Sequence, residues 1–370
     1  MIEVDDLQGL LAADTPLIDT RAPIEFVRGS LPTAVNLPLM SDAEREQVGT
    51  CYKLHGQNAA IELGHQLVQG SIKAERVDAW IRFAQAHPTG ALYCFRGGLR
   101  SAITQQWLQE SGVEYPRVKG GYKALRRWLM EYSDSTFHTA SLLLVGGRTG
   151  AAKTRALNEG NRGCAIDGSI DLEGLAHHRG SAFGKRITEQ PSQISFELAL
   201  GVALLKHNQR GFRSLVLEDE GRLIGRCALP LSLQSAKKDA DWVHLEASLT
   251  DRVQHSYENY ILSNLEELLC EGRDNAFEQF STNLLDALAR ISKRLGGARY
   301  ADLRDKMTFA INQHRQGEPE YHKTWITTLL SEYYDPMYDY QLAQRERQPI
   351  FQGDEREVSE FLTAWQKAVS

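Results

Sequence analysis

The stretch Tyr93-Cys94-Phe95-Arg96-Gly97-Gly98-Leu99-Arg100-Ser101 places a thiol where a thiol can react. Cys94 ends a short apolar run and is followed by two glycines, two arginines and a segment of helical character. Backbone N–H groups of a tight loop at a helix N-terminus form an anion-binding nest, and the positive end of the helix dipole favours a thiolate. Arg96 and Arg100 add charge suited to an anionic sulfur or selenium donor. Gly97 and Gly98 let the backbone approach a ligand closely, and Phe95 and Leu99 complete the loop. A lone cysteine is ordinarily a buried small apolar residue. The run that follows Cys94 makes it the candidate nucleophile.

A second chemical loop follows. Leu142-Leu143-Leu144-Val145 runs through Gly146 into Gly147-Arg148-Thr149-Gly150-Ala151-Ala152-Lys153-Thr154, a strand, a glycine turn and Lys-Thr at a helix start. That is a Walker A phosphate loop with one departure: Ala152 replaces the usual second glycine, so any left-handed backbone there is more costly. The loop amides and the Lys153 ammonium would cradle a diphosphate, and Thr154 could reach a bound Mg²⁺. Leu215-Val216-Leu217-Glu218-Asp219-Glu220 has the character of a Walker B strand, with Glu218 and Asp219 as its acids. Taken alone, it reads equally as a core strand ending in a solvated acidic turn. Between these motifs lies Asp171-Leu172-Glu173-Gly174-Leu175-Ala176-His177-His178-Arg179-Gly180-Ser181-Ala182-Phe183-Gly184. Its adjacent histidines lack an evident third ligand, so no metal site is assigned to them; His178 and Arg179 suit substrate contacts to phosphate or RNA, and polar loop residues that bind one another are the alternative.

These loops need scaffolds. Strand-like segments at 16–19, 34–38 and 91–94 alternate with helical patterns such as Val77, Trp80, Ile81 and Ala84, which implies a mostly parallel sheet covered on both faces. The polar segment 131–136 is the candidate boundary. A new α/β series follows it, with expected strands at 141–145, 164–166, 214–217 and 242–245 and a helix over 194–205. Beyond about residue 250 amphipathic helical patterns take over. The expected domains are 1–135, 136–250 and a helical 251–370 that extends the second domain or stands apart.

Composition excludes several classes. Apolar residues make up 42% and charged residues 24% of the 370, as in a globular protein, and no apolar run is long enough for a membrane span. The acidic start Met1-Ile2-Glu3-Val4-Asp5-Asp6 has no signal-peptide character, so a soluble, cytoplasmic protein is expected. The 5 cysteines are scattered and form no C-x-x-C pair, which argues against disulfides and cysteine-rich zinc sites. A net charge of -6 gives no global sign of nucleic-acid binding, but residues 91–127 carry seven basic side chains against two acids. A solvated helix face explains that excess equally well.

Cys94 to Arg100 resembles the active-site loop of rhodaneses, in which a cysteine carries a persulfide. Ile18-Asp19-Thr20-Arg21 with Glu25-Phe26, and Gly29-Ser30-Leu31-Pro32-Thr33-Ala34-Val35-Asn36-Leu37-Pro38, resemble the opening motif of that fold. Val118-Lys119-Gly120-Gly121-Tyr122 resembles the stretch that closes it. A rhodanese-like domain ahead of a P-loop domain with a helical C-terminal region resembles the tRNA 2-selenouridine synthase family. Supporting stretches are 44–50, 171–184, Glu218-Asp219-Glu220 with Ile224-Gly225, and Tyr333-Tyr334-Asp335-Pro336-Met337-Tyr338-Asp339-Tyr340. The departures are Ala151-Ala152, where the family more usually has a Ser-Gly or similar pair, and His177, where an Asn is common.

The resemblance implies conversion of wobble 2-thiouridine in tRNA to 2-selenouridine in two steps: S-geranylation by geranyl diphosphate, then selenation by selenophosphate. The P-loop would bind the prenyl diphosphate, and Cys94 would carry selenium as a perselenide. The basic stretch Arg117 to Arg127 would help hold the anticodon arm, with Tyr122 or Trp128 available to stack on a base. A selenophosphate-producing enzyme is an implied partner. Two other readings remain: a general sulfurtransferase with a regulatory second domain, and a P-loop kinase or ATPase with an inert rhodanese scaffold.

Overall fold

The computed structural model describes residues 2–158, 166 and 168–369. Short apolar runs separated by helices build an α/β protein of two compact units, Met1–Thr136 with Ser192–Arg210, and Phe137–Pro191 with Gly211–Ser370.

The first unit is a parallel sheet of β1 (Glu3–Val4), β2 (Leu17–Asp19), β3 (Ala34–Asn36), β4 (Ala91–Tyr93) and β5 (Arg117–Val118), in the order β1-β5-β4-β2-β3. The central strands β2 and β4 are buried at every residue, as a sheet covered on both faces requires. One face packs Ile18 and Leu92 against Trp80, Trp107 and Leu108. The other packs Leu17, Ala91 and Tyr93 against Leu125, Leu129, Leu198, Val202 and Leu205.

Three of those last residues lie on the helix Gln193–Gln209, far along the chain. The expected helix over 194–205 therefore exists, but it completes the first core and not the second. Its apolar stripe has a face to cover there: Gly201 sits against Leu129 and Ser133, Ser192 caps the helix by accepting from the Ser195 N–H, and the Ser30 N–H donates to Ser195 Oγ (3.0 Å). The candidate boundary lies inside the helix Gly121–Thr139, whose inner face runs on from Leu125 and Leu129 through Tyr132, Ser133 and Thr136, and the two units divide within that helix after Thr136.

In the second unit, β6 (Ser141–Gly147), β7 (Ser169–Ile170), β8 (Ser214–Glu218), β11 (Asp241–Leu245) and β12 (Phe351–Gly353) form a parallel sheet in the order β12-β11-β6-β8-β7. A small antiparallel pair, β9 (Leu223–Ile224) and β10 (Cys227–Ala228), stands beside it. The expected strand at 164–166 falls largely outside the described residues; the neighbouring strand is β7. The last third is helical up to Ala343, and its core gathers Tyr257, Phe280, Leu303, Trp325 and Tyr334. The chain then returns to the sheet: β12 pairs with β11, and the helix Glu355–Val369 buries Val358 and Leu362 against β6, β8 and β11 residues. No helix among the described residues is long and apolar enough to cross a membrane.

Candidate functional sites

Cys94 lies directly after β4, at the C-terminal edge of the first sheet, and is buried. The Asp19-Thr20-Arg21 run supports it from beneath. Thr20 Oγ1 donates to the Tyr93 carbonyl (2.9 Å), while Arg21 forms a buried pair with Asp19, donates to the Gly29 carbonyl (2.8 Å) and stacks 3.7 Å over the Tyr122 ring. The loop is held from its other side by the N–H groups of Tyr122 and Lys123, which donate to the Cys94 and Phe95 carbonyls (both 2.9 Å). Gly121 makes that approach feasible: it has φ +58°, and a Cβ there would lie 2.2 Å from the Cys94 carbonyl oxygen.

The helix Leu99–Glu110 starts immediately after the loop. From it, Ser101 places Oγ 3.2 Å from Cys94 Sγ while donating to the Gly98 carbonyl (3.0 Å). The hydroxyl accepts from the thiol in this state and can rotate to donate to a thiolate. Arg96, Phe95 and Leu99 are exposed at the loop surface. Arg100 is not a free cation. It pairs with Glu25 (2.6 Å), which also pairs with Arg45 (3.1 Å). Burial works against the Glu25 carboxylate, but Arg100, the Ala22 N–H and Arg45 outweigh it and hold its pKa below the ordinary value.

Beside this loop lies a cavity of about 770 Å³, between the kinked helix Asp42–Leu67 and the helix that starts at Leu99. Leu39, Val48, Ile61, Ile103 and Trp107 supply apolar wall, and Arg45, Lys53 and Arg100 supply positive charge. Helical spacing puts Leu99 and Ile103 on the face that lines this cavity and Ser101 toward the thiol.

The second site lies at the end of β6. Residues Arg148 to Ala152 turn from the strand into the helix Lys153–Asn158. Ala152 has φ +62°, the left-handed backbone that a glycine would adopt without strain. Thr154 Oγ1 lies within hydrogen-bonding distance of Glu218 and of Glu173 Oε2 (3.0 Å). Glu218 is fully buried at the end of β8, and Glu220 completes a cluster of three carboxylates whose ligand oxygens lie within 4.8 Å of one another.

Burial, then Glu173 and Glu220, push the Glu218 pKa well above the carboxylate range. Burial, then Glu220, push Glu173 up to about 7. Burial disfavours the Lys153 ammonium, but Glu220, Glu173 and Glu218 outweigh it and raise its pKa.

Glu218 Oε2 is buried with no hydrogen-bond partner, and the donors are all hard oxygens, so the cluster fits a Mg²⁺-like cation. Glu173, Glu218, Glu220 and the Thr154 hydroxyl would hold it, and it would supply positive charge to a diphosphate beside Lys153. The sequence names Thr154 and Glu218 but misses Glu173 and Glu220. Spacing hides Glu173, which lies on the short helix Leu172–Leu175 that Asp171 caps by accepting from the Gly174 N–H (2.7 Å). Asp219 takes a different part from its neighbour: it pairs with Lys237 (3.2 Å) and with Arg345.

The C-terminal helices clamp this loop. Arg252 makes a two-point buried pair with Asp335 (2.7 Å each) and donates to the Thr149 carbonyl (3.3 Å). Arg148 pairs with Asp335 (3.2 Å) and Asp339 (2.6 Å), and His255 Nδ1 lies 3.2 Å from the Gly150 carbonyl. Arg148 therefore anchors the loop to the helix Asp335–Ala343. Arg179 has a similar duty, binding Asn264, Ser263 (3.1 Å) and Glu267 (3.1 Å), whereas His178 is buried with an unpartnered Nδ1. His177 has φ +50°, a conformation Asn tolerates better than most residues.

In the basic stretch, Arg117 pairs with Glu3 (2.7 Å) and Arg127 lies 4.0 Å from Glu131. Tyr122 stacks under Arg21 and is buried; Trp128 stacks on Tyr132 (5.0 Å between ring centroids).

Residues 140–369 match the family model described as the tRNA 2-selenouridine synthase AAA domain. A tRNA 2-selenouridine synthase from Hahella chejuensis is 54% identical over 97% of this chain and 94% of its own length. One from Pseudomonas fluorescens is 48% identical over 98% of each chain, and one from Marinobacter nauticus is 48% identical over 99% of this chain and 98% of its own. A crystal structure of the N-terminal domain of a putative ATP/GTP binding protein from Clostridium difficile 630 aligns with 32% of this chain and 90% of its own, at 31% identity and a TM-score of 0.30. With near-complete matches to relatives of one name, and a phosphate loop set in a parallel sheet within the matched domain, the chain belongs to the tRNA 2-selenouridine synthase family.

Proposed function

We propose that this enzyme converts 2-thiouridine at the wobble position of tRNA to 2-selenouridine in the cytoplasm, using the second unit for S-geranylation and the first, rhodanese-like unit for selenation. The reading rests on one observation above others: a single chain of this family carries two separate sites of different chemistry. One is a carboxylate–lysine cluster suited to a diphosphate, and the other is a buried thiol in a glycine and arginine loop.

In the first step the C–O bond of geranyl diphosphate breaks, a C–S bond forms at the thiouridine sulfur, and the nucleobase loses a proton. Negative charge grows on the leaving diphosphate. Lys153, the loop amides and a cation held by Glu173, Glu218 and Glu220 would stabilise that charge.

In the second step a C–Se bond forms at C2, the C–S bond breaks with loss of the geranyl thiol, and water takes the phosphoryl group of selenophosphate. Selenium in selenophosphate is already at the selenide level. The perselenide on Cys94 that the resemblance implies would need an oxidant this reaction does not supply. Direct transfer of selenide-level selenium to C2 changes no oxidation state, and the Cys94 loop would bind and orient the selenium donor for it. The apolar wall of the cavity at Leu99 and Ile103 suits the geranyl chain, with Arg45 and Lys53 suited to nearby phosphates. Selenophosphate would come from a separate synthesising enzyme.

The purified protein should geranylate an anticodon stem–loop containing 2-thiouridine and then selenate it when selenophosphate is added. Mass spectrometry of the nucleosides reads both steps. A protein that binds the RNA and geranyl diphosphate yet forms no geranylated nucleoside would remove the first step from this chain.

A further inference from the structure

The second unit carries a basic depression that the phosphate loop does not account for. Its volume is about 520 Å³, and Lys185, Arg226, Arg290 and Arg294 line it against a single acid, Glu189. Lys185, Arg290 and Arg294 are exposed and, among the described residues, make no ion pair. Arg226 faces Glu189 only at 3.9 Å. Four cations set against one acid leave an excess of positive charge, an arrangement that a bound polyanion relieves. Such surfaces on an enzyme mark the path of a phosphodiester chain.

Two further features indicate a built site. His178 lines the depression, and its Nδ1 is buried without a hydrogen-bond partner. Burial, then Arg290, Arg179 and Arg186, push its pKa down to about 4, so it is neutral and available to a polar ligand group at ordinary pH. Gly180 also lines the depression, and its backbone abuts the carboxylate cluster: a Cβ there would lie 2.1 Å from Glu173 Oε1 and 2.9 Å from Glu220 Oε2. At Gly180 the depression thus adjoins the carboxylate cluster.

We infer that the RNA backbone lies in this depression, its phosphates on Lys185, Arg226, Arg290 and Arg294, so that a nucleotide at the Gly180 end meets the phosphate loop. The inference rests on tRNA being the substrate, and it makes the second unit an RNA-binding surface in its own right.

The test uses the full-length protein and binding of unmodified tRNA over a salt series. In Lys185→Glu/Arg294→Glu, both exposed positions, tRNA binding should weaken at least about tenfold, and the log–log salt slope should fall by roughly 0.7–0.9 for each phosphate no longer neutralised. The KM for tRNA in geranylation should rise while the KM for geranyl diphosphate stays unchanged. Lys238→Glu/Arg210→Glu, two exposed positions outside the depression, changes the net charge equally and should leave both affinity and slope near wild type. Wild-type affinity and slope in the double variant would overturn the inference. If the wild-type protein binds no tRNA, the substrate reading fails, and the inference fails with it.

Discussion

At the residue scale, Ala152 is the sharpest case of local conflict. Its φ of +62° costs an L-residue about 1–2 kcal/mol, while glycine adds chain entropy to the unfolded state worth about 0.4–1 kcal/mol. Ala152→Gly should therefore stabilise the protein by roughly 0.5–1 kcal/mol, read from chemical denaturation, and should not weaken diphosphate binding. A loss of stability would show that the alanine methyl makes a compensating contact.

The carboxylate cluster gives a second residue-scale prediction. Glu173 and Glu218 have raised pKa values in the folded protein, so the folded state holds more protons than the unfolded chain between the ordinary carboxylate value and about 7. Without a cation, stability falls as pH rises through that window. Mg²⁺ should raise the melting temperature more at about pH 8 than at about pH 5.5, and Glu218→Gln should abolish most of that gain. An equal Mg²⁺ effect at both pH values would place the cation elsewhere. Thr154 and Glu218 were legible in sequence because motif spacing fixes Thr154 at the start of the helix after β6 and Glu218 at the end of the neighbouring strand β8. Glu173 and Glu220 were not, since their meeting depends on how a loop folds over the sheet edge.

At the element scale, the helices after residue 250 act on the phosphate loop. The Arg252–Asp335 pair is buried, with Arg252 also holding the Thr149 carbonyl. Asp335→Asn would leave a buried guanidinium uncompensated and should cost about 3–5 kcal/mol in unfolding free energy. Geranylation should fall along with it, whereas selenation of a pre-geranylated RNA by the folded fraction should persist. Equal loss of both reactions would argue against a local clamp. Amphipathic spacing predicted these helices well, because their core is local in sequence. It could not show that Arg148 and Arg252 reach Asp335, a meeting of residues far apart in the chain. The strand Phe351–Gly353 was invisible for a related reason: three residues carry no periodicity, and its pairing with β11 defines it.

At the scale of the whole molecule, the first unit needs the helix Gln193–Gln209, whose Leu198, Val202 and Leu205 close its core. A fragment ending at Thr136 would expose the facing surface of Leu125 and Leu129. Such a fragment should show no cooperative thermal transition by circular dichroism. Fusing 192–210 to it through a flexible linker should restore one, and cooperative melting of the bare fragment would contradict this division. The alternation of strands and helices made both parallel sheets legible in sequence, and the two chemical loops fell at strand-to-helix turns as read. The exchange of one helix between units was hidden, because periodicity gives a helix its apolar face and not the partner that covers it.

The central claim is that Cys94 and the phosphate loop serve two successive reactions on one nucleoside. The direct measurement is mass spectrometry of tRNA nucleosides from cells lacking the native protein and supplied with either Cys94→Ala or Lys153→Ala. Cys94→Ala should accumulate S-geranyl-2-thiouridine without 2-selenouridine, and Lys153→Ala should retain 2-thiouridine with neither product. Normal 2-selenouridine in the Cys94→Ala cells, or geranylated nucleoside in the Lys153→Ala cells, would contradict it.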